Sequence, residues 1–322
     1  MFNNFFKKNN IVCIGGGNAM PKVILKGLKN KNVNLTVVSA VLDSGGSSGK
    51  LRKEYDIISP GDLRRAFLEL CIIPEEEKEI LNFRFPKGEL AEHNLGNLFF
   101  VAAYLKNNGY WDLFKRINSL LIGNHKILPS TIHKSDLVAV LENGEEVVGE
   151  SNIDIPKHDP KLKIDKLFLR PSVSACPQTI RRIKNADMIV IGPGDIFSSL
   201  MQVLLVDGMI EAIKSSKAKK VYVCNLMTKN GESNNFKVED FVHEIESCLK
   251  NELDYVIFNT NTSEKKVVED YKKNNPQFLE MVNFNSVPKE KKYIGLDLLL
   301  KEKGIVHDSK KVADIILKIC KQ

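Results

Sequence analysis

Ile11-Val12-Cys13-Ile14-Gly15-Gly16-Gly17-Asn18-Ala19-Met20-Pro21 is the stretch from which the rest of the chain can be read. Its successive apolar residues predict a strand covered on both faces, as in a parallel sheet. The glycines that follow predict a tight turn, and Pro21 suits the first position of the helical pattern over 22–28. Strand, glycine turn and helix N-terminus together form an anion site, because free backbone N–H groups and the helix dipole both favour phosphate. The dinucleotide fingerprint needs a third glycine where Met20 stands, so that motif is broken. Gly15, Gly16, Gly17 and Asn18 are therefore read as contacts for a phosphate or ribose.

Outward from this turn, short apolar runs alternate with helical patterns. Strands are expected at 35–42, 188–191, 221–224, 255–258 and 281–284. Helices are expected at 95–105, 208–215, 238–249, 263–272 and 309–319, the last capped by Asp308 or Ser309. The alternation predicts a Rossmann-like three-layer α/β/α unit with a mainly parallel sheet. Between Arg64 and Arg170 the alternation lapses. There Asn143-Gly144 separates two strand-like runs and predicts a hairpin, since both residues accept positive φ. The expected organisation is 1–63 as the first half of the core, 64–170 as a helical and β-hairpin insertion or cap, and 171–322 as the second half.

Composition narrows the function. The chain has 322 residues, 43% of them apolar, enough for a large core. Its 47 Lys and Arg against 40 Asp and Glu leave +7, with the lysines dispersed along helices. No basic run is interleaved with aromatics, so nucleic acid is not an expected partner. No run approaches the ~20 apolar residues of a membrane span. Met1 to Lys8 lacks an apolar core and a small-residue cleavage site, so no secretory signal is read there. The six cysteines are scattered without a C-x-x-C pair; Cys13 and Cys224 read as core residues, and a reducing cytoplasm is expected.

The second strand ends in Asp43-Ser44-Gly45-Gly46-Ser47-Ser48-Gly49-Lys50-Leu51-Arg52. This is not a P-loop: its first glycine would have to be Ser44, and Leu51 follows the lysine. Its density of glycines, hydroxyls and charge still exceeds what a connector needs. Ser59-Pro60-Gly61-Asp62 and Gly192-Pro193-Gly194-Asp195, with Ser198 beyond, are similar glycine-rich loops that open helices. In an open parallel sheet, ligands sit beyond the C-terminal strand ends near a switch point. A nucleotide-sized cleft is the leading expectation, with Asn225 and Thr228 after the next strand adding contacts. Asn94 and Asn97 are candidates for a base or sugar. Asp43 and Asp62 are the candidate catalytic and metal-binding carboxylates, with Mg²⁺ as the expected cofactor. Neither a Ser-His-Asp triad nor a catalytic cysteine can be assembled, and the broken fingerprint disfavours a nicotinamide oxidoreductase.

These motifs, from the first glycine turn through His93-Asn94-Leu95-Gly96-Asn97 to Gly192-Pro193-Gly194-Asp195, resemble the gluconeogenesis factor family, the UPF0052 group. That family is related to 2-phospho-L-lactate transferase. Leu128-Pro129-Ser130-Thr131, Gly149-Glu150-Ser151-Asn152-Ile153, the run Val221 to Thr228 and Gly231-Glu232-Ser233 are also similar. The resemblance extends from about residue 10 to the C-terminus. It implies a nucleotide or UDP-sugar ligand contacted by Tyr271, a metabolic enzyme as partner, and a role joining carbon metabolism to cell-envelope precursor supply. A homo-oligomer is expected. The alternative it implies is a Mg²⁺-dependent transferase moving a phospho-acyl group from a nucleotide diester to an alcohol. The chain departs from the family at Asn18-Ala19, where Thr-Gly is usual, at Ser44 in place of a second aspartate, and at Val306 in place of an arginine.

Overall fold

A computed structural model describes residues 8–107, 109–300 and 304–322; the stretch 1–7 read for a secretory signal lies outside them. The apolar runs become β1 (Asn9–Gly15), β2 (Val33–Ser39), β3 (Lys126–Pro129), β4 (Asp136–Leu141), β5 (Glu146–Val148), β6 (Ile164–Arg170), β7 (Met188–Ile191), β8 (Lys219–Val223), β9 (Met227–Lys229), β10 (Tyr255–Asn259), β11 (Phe278–Met281) and β12 (Tyr293–Leu296). A seven-stranded sheet has the order β12-β10-β8-β7-β1-β2-β3, and its pairs are parallel. Helices cover both sides. This is the expected α/β fold.

The sheet holds because β7 and the middle of β1 are apolar at every position. Ile11 to Ile14 and Met188 to Ile191 are all at most 1% exposed. Burying each such side chain contributes about 1.5–3 kcal/mol. Helix Ser309–Cys320 lays Val312, Ala313, Ile316 and Ile319 on the core, and Asp308 caps it by accepting from Lys310 N at 2.9 Å and Lys311 N at 3.2 Å. It packs so closely on the helix after β1 that a Cβ on Gly27 would stand 2.2 Å from Ser309 O.

Three expectations change. The strand expected at 281–284 is β11 instead, paired antiparallel with β9 in a separate two-stranded sheet. Its side chains are only partly covered, so it lacks the two-sided burial that a central parallel strand requires. Two main-sheet strands were not anticipated. β12 carries Gly295, where a Cβ would stand 2.5 Å from Phe258 Cζ, and β3 is a four-residue edge strand ending in Pro129. The hairpin exists as β4–β5, beside β6 in a three-stranded antiparallel sheet. Only Gly144 has positive φ, at +85°, and its N–H reaches Leu141 O at 2.8 Å. The turn therefore ends on one left-handed glycine and does not use two.

The cysteines at 13, 71, 176 and 224 are buried, and burial pushes the Cys13 thiol up to about 12. Among the described residues no helix is long and apolar enough to cross a membrane.

Candidate functional site

Strand order reverses between β1 and β7, and the loops leaving these two strands meet there. Gly192 N–H donates to Ile14 O at 3.0 Å. A Cβ on Gly194 would lie 3.7 Å from Gly16 O, and one on Gly17 would lie 3.4 Å from Ser199 Oγ. Gly17 and Gly192 have φ of +67° and +78°, a region that favours glycine. Both loops lead into helices that open with π turns, Pro21–Leu25 and Ile196–Met201. Such turns are rare and often sit at functional sites.

Asp62 lies in the first turn of helix Gly61–Leu70 but does not cap it. Its Oδ1 instead accepts Gly17 N–H at 2.9 Å and is paired with Arg65. Gly16 must be glycine here, since a Cβ would stand 2.6 Å from Asp62 Oδ2 and 2.8 Å from Ala40 Cβ. Asp43 accepts Gly45 N–H at 2.8 Å, and its Oδ2 faces Gly61, 3.2 Å from where a Cβ would be. Glu150 opens the short helix Glu150–Asp154, which docks through Ser44 Oγ and Ser151 Oγ at 3.0 Å.

Three carboxylates thus share one partly buried space. Burial, then the nearby Asp62, raises the Asp43 carboxyl above its usual range. Burial, followed by Asp43, Asp154 and Asp62, pushes Glu150 up to about 9. Burial also opposes the charge of Arg65, but Asp62 and Asp43 outweigh it and hold the guanidinium above its ordinary value.

A second cluster adjoins the first through Asp154. The Lys229 ammonium is paired with Asp154, with Asp195 Oδ2 at 2.8 Å and with Glu232 Oε1 at 3.0 Å. Burial disfavours that charge, yet the three carboxylates raise its pKa. Asp195 is pushed up to about 6, by burial working against Lys229. Oxygens of Asp154, Asp195 and Glu232 lie within 4.8 Å of one another. They have the crowding of a metal cage, but Lys229 already supplies the cation. Glu232 also accepts the N–H groups of Phe197 and Ser198, both at 3.0 Å, and so fills the helix N-terminus beyond β7.

Of the residues expected at the site, the turns at Gly15, Gly16, Gly17, Gly192, Pro193 and Gly194 converge with Asp43, Ser44, Gly45, Asp62 and Asp195. Asn225 joins them by accepting Gly194 N–H at 3.0 Å, and Asn18 stands exposed on the first turn. Gly46 is exposed at the start of helix Gly46–Glu54. Other residues face different partners. Arg52 turns to Ser135 O at 2.5 Å and to Asp136 at 3.0 Å. Asn94 caps helix Leu95–Lys106, while Asn97 Nδ2 reaches Ser47 Oγ at 3.2 Å and Ser48 Oγ at 3.3 Å. Ser198 is 0% exposed and donates to Glu232 at 2.7 Å. Thr228 ties β9 to the backbone of Glu280. Tyr271 is half-buried against Phe278, with ring centroids 5.8 Å apart, and burial followed by Asp195 raises its phenol. Sequence reasoning assigned no role to Glu150, Asp154, Lys229 or Glu232. Two of these sit in Gly-Glu-Ser runs, at 149–151 and 231–233, which were the available signal.

The fold and the loops define a parallel α/β protein with a charged cleft at the sheet's switch point. The chain matches the family described as 2-phospho-L-lactate transferase CofD over residues 11–297. It is 36% identical over 318 residues to the gluconeogenesis factor of Listeria innocua, covering 96% of this chain and 95% of that one. To the gluconeogenesis factor of Bacillus subtilis it is 32% identical over 325 residues, covering 98% and 99%. A solved UPF0052 member from Bacillus halodurans superposes with a TM-score of 0.88 at 33% identity, covering 97% of this chain and all of that one. The chain belongs to the CofD family, within its UPF0052 group of gluconeogenesis factors.

Proposed function

We propose that the chain binds a nucleotide or nucleotide-sugar, with the ligand's phosphates at the glycine turn Gly15 to Gly17, and so joins carbon metabolism to cell-envelope precursor supply. One observation carries the reading: two glycine turns and a carboxylate-bearing helix end meet at the switch point, where open parallel sheets hold ligands. The names of the relatives support the carbon-metabolism side. Tyr271, toward the Asp195 end of the cleft, would meet the sugar. In this reading the protein works as a homo-oligomer in the cytoplasm, through a metabolic enzyme partner.

The donor set suits Mg²⁺. Asp43, Asp62 and Glu150 are hard oxygen ligands crowded enough to raise two of their own pKa values. Asp43 and Asp62 would hold the ion, which would neutralise ligand phosphates. Arg65 orients Asp62, and Asp62 in turn fixes the Gly17 amide. The alternative is a transferase similar to the phospholactate enzyme, favoured by the family match together with this carboxylate cluster. Such chemistry needs mainly positioning and charge neutralisation.

A thermal-shift screen over nucleotides and UDP-sugars, with and without Mg²⁺, tests both readings. A ligand at a hundred times its dissociation constant stabilises by about 2.7 kcal/mol. Asp43→Asn keeps an acceptor for Gly45 N–H and should retain or slightly raise thermal stability while removing any Mg²⁺-dependent gain in affinity. Equal Mg²⁺ effects in both proteins would remove Asp43 from the metal site. Turnover of a nucleotide diester would favour the transferase; a UDP-sugar shift without turnover favours the binder.

A further inference from the structure

The chain's single tryptophan, Trp111, stands 40% exposed at a cleft of about 380 Å³. This cleft lies away from the glycine turns. Its floor is set by register: Lys126 pairs with Thr36 and Thr36 with Val12, so the three side chains form a row on one face of β3, β2 and β1. Helix Pro177–Lys184 crosses over this row. Its Gln178 and Arg182 line both the Trp111 cleft and a second one of about 270 Å³ above Val12 and Thr36. The two clefts form one trough. Gly15 and Pro129 sit level with Ser39, three residues beyond Lys126, about 10 Å along the strands.

The charge in this trough is unbalanced. Lys115, Lys126, Arg181 and Arg182 converge from three elements, and Asp112 is the one carboxylate in the lining. Among the described residues, no side-chain hydrogen bond or ion pair engages any of these four cations. Elsewhere the fold pairs its partly buried cations, as in Lys29–Glu69, Arg52–Asp136 and Lys292–Glu246. Lys126 is itself partly buried and has no carboxylate partner among the described residues, a position that an anion would complete. The volume of this open cleft suits a small molecule, and Phe114, Leu128 and Trp111 add apolar surface to its lining.

We propose that this trough is a second ligand site, taking a multiply phosphorylated small molecule on Lys115, Lys126 and Arg182, independently of the glycine-turn cleft. Trp111 lies against the ligand, so its emission reports binding directly. The test titrates the full chain with sodium pyrophosphate while following tryptophan fluorescence, against sodium chloride at matched ionic strength. A saturable change with pyrophosphate alone is expected. Lys126→Met and Arg182→Gln should each weaken it about tenfold or more, as expected for losing a charged hydrogen-bond partner. Arg182 is exposed, so its variant stays folded even if the strand substitution does not. The proposal is overturned by a response that chloride reproduces, or by Arg182→Gln binding as tightly as wild type. It also fails if Asp43→Asn abolishes the response, which would place the anion at the switch point, or if only an acidic peptide gives a signal.

Discussion

At the scale of single residues, Gly16 and Glu150 show two kinds of constraint. Gly16 lacks room for a methyl group, because Asp62 and Ala40 occupy the space. Gly16→Ala should cost about 1–3 kcal/mol in urea unfolding, from overpacking, and should displace the Asp62 contact to Gly17. Gly46, with nothing within 4 Å of its missing Cβ, provides the control: Gly46→Asn should leave ligand binding intact. Glu150 is a constraint of charge. Its carboxyl moves from an ordinary 4.5 to about 9, so the folded chain keeps a proton that the unfolded chain releases. Its contribution to stability is therefore complete below about 4.5 and declines as pH rises toward about 9. Glu150→Gln should flatten that decline and stabilise the protein at about pH 8 by roughly 1–3 kcal/mol. Asp43 shifts in the same direction, so a residual slope should remain. An unchanged urea midpoint at both pH extremes would show that Glu150 is ionised in the fold. The glycine was legible because a glycine triplet after an apolar run has few other uses. The glutamate was not, because its shift comes from burial in the folded chain and from the nearby charges of Asp43, Asp154 and Asp62, two of which lie about a hundred positions away.

At the scale of elements, Lys229 fastens three pieces of chain: β9, helix Glu150–Asp154, and the loop after β7. Lys229→Met would leave Asp154, Asp195 and Glu232 crowded without their cation. A loss of about 3–5 kcal/mol is expected in urea unfolding, as for a broken buried ion pair. Part of that loss should return on acidification, when the carboxyls take up protons. A variant as stable as wild type across pH would mean that the cluster is solvated. Central strands such as β7 were readable because both faces are buried and every position is apolar. β3 was hidden by its brevity, its leading lysine and its terminal proline, all features of an edge strand. β11 was placed a few residues late because a partly exposed strand has no two-sided pattern to mark it.

At the scale of the whole molecule, the cleft draws on widely separated parts of the chain: Gly16, Asp43 and Asp62 early, Glu150 and Asp154 midway, Asp195 and Lys229 late. The fold class was legible because the alternation of strand and helix repeats along the chain. Which loops face one another depends on strand order, and no local pattern encodes that order. The position of β1 also has a consequence for synthesis. One side of β1 is paired by β2 within the first forty residues, but its other side waits for Met188 to Ile191. At the ribosome's pace of about 5–20 residues per second, that side stays open for on the order of ten seconds or more. Throughout this interval the nascent chain presents Ile11-Val12-Cys13-Ile14 as an unpaired apolar edge, a template for strand addition by another chain and a natural target for a chaperone.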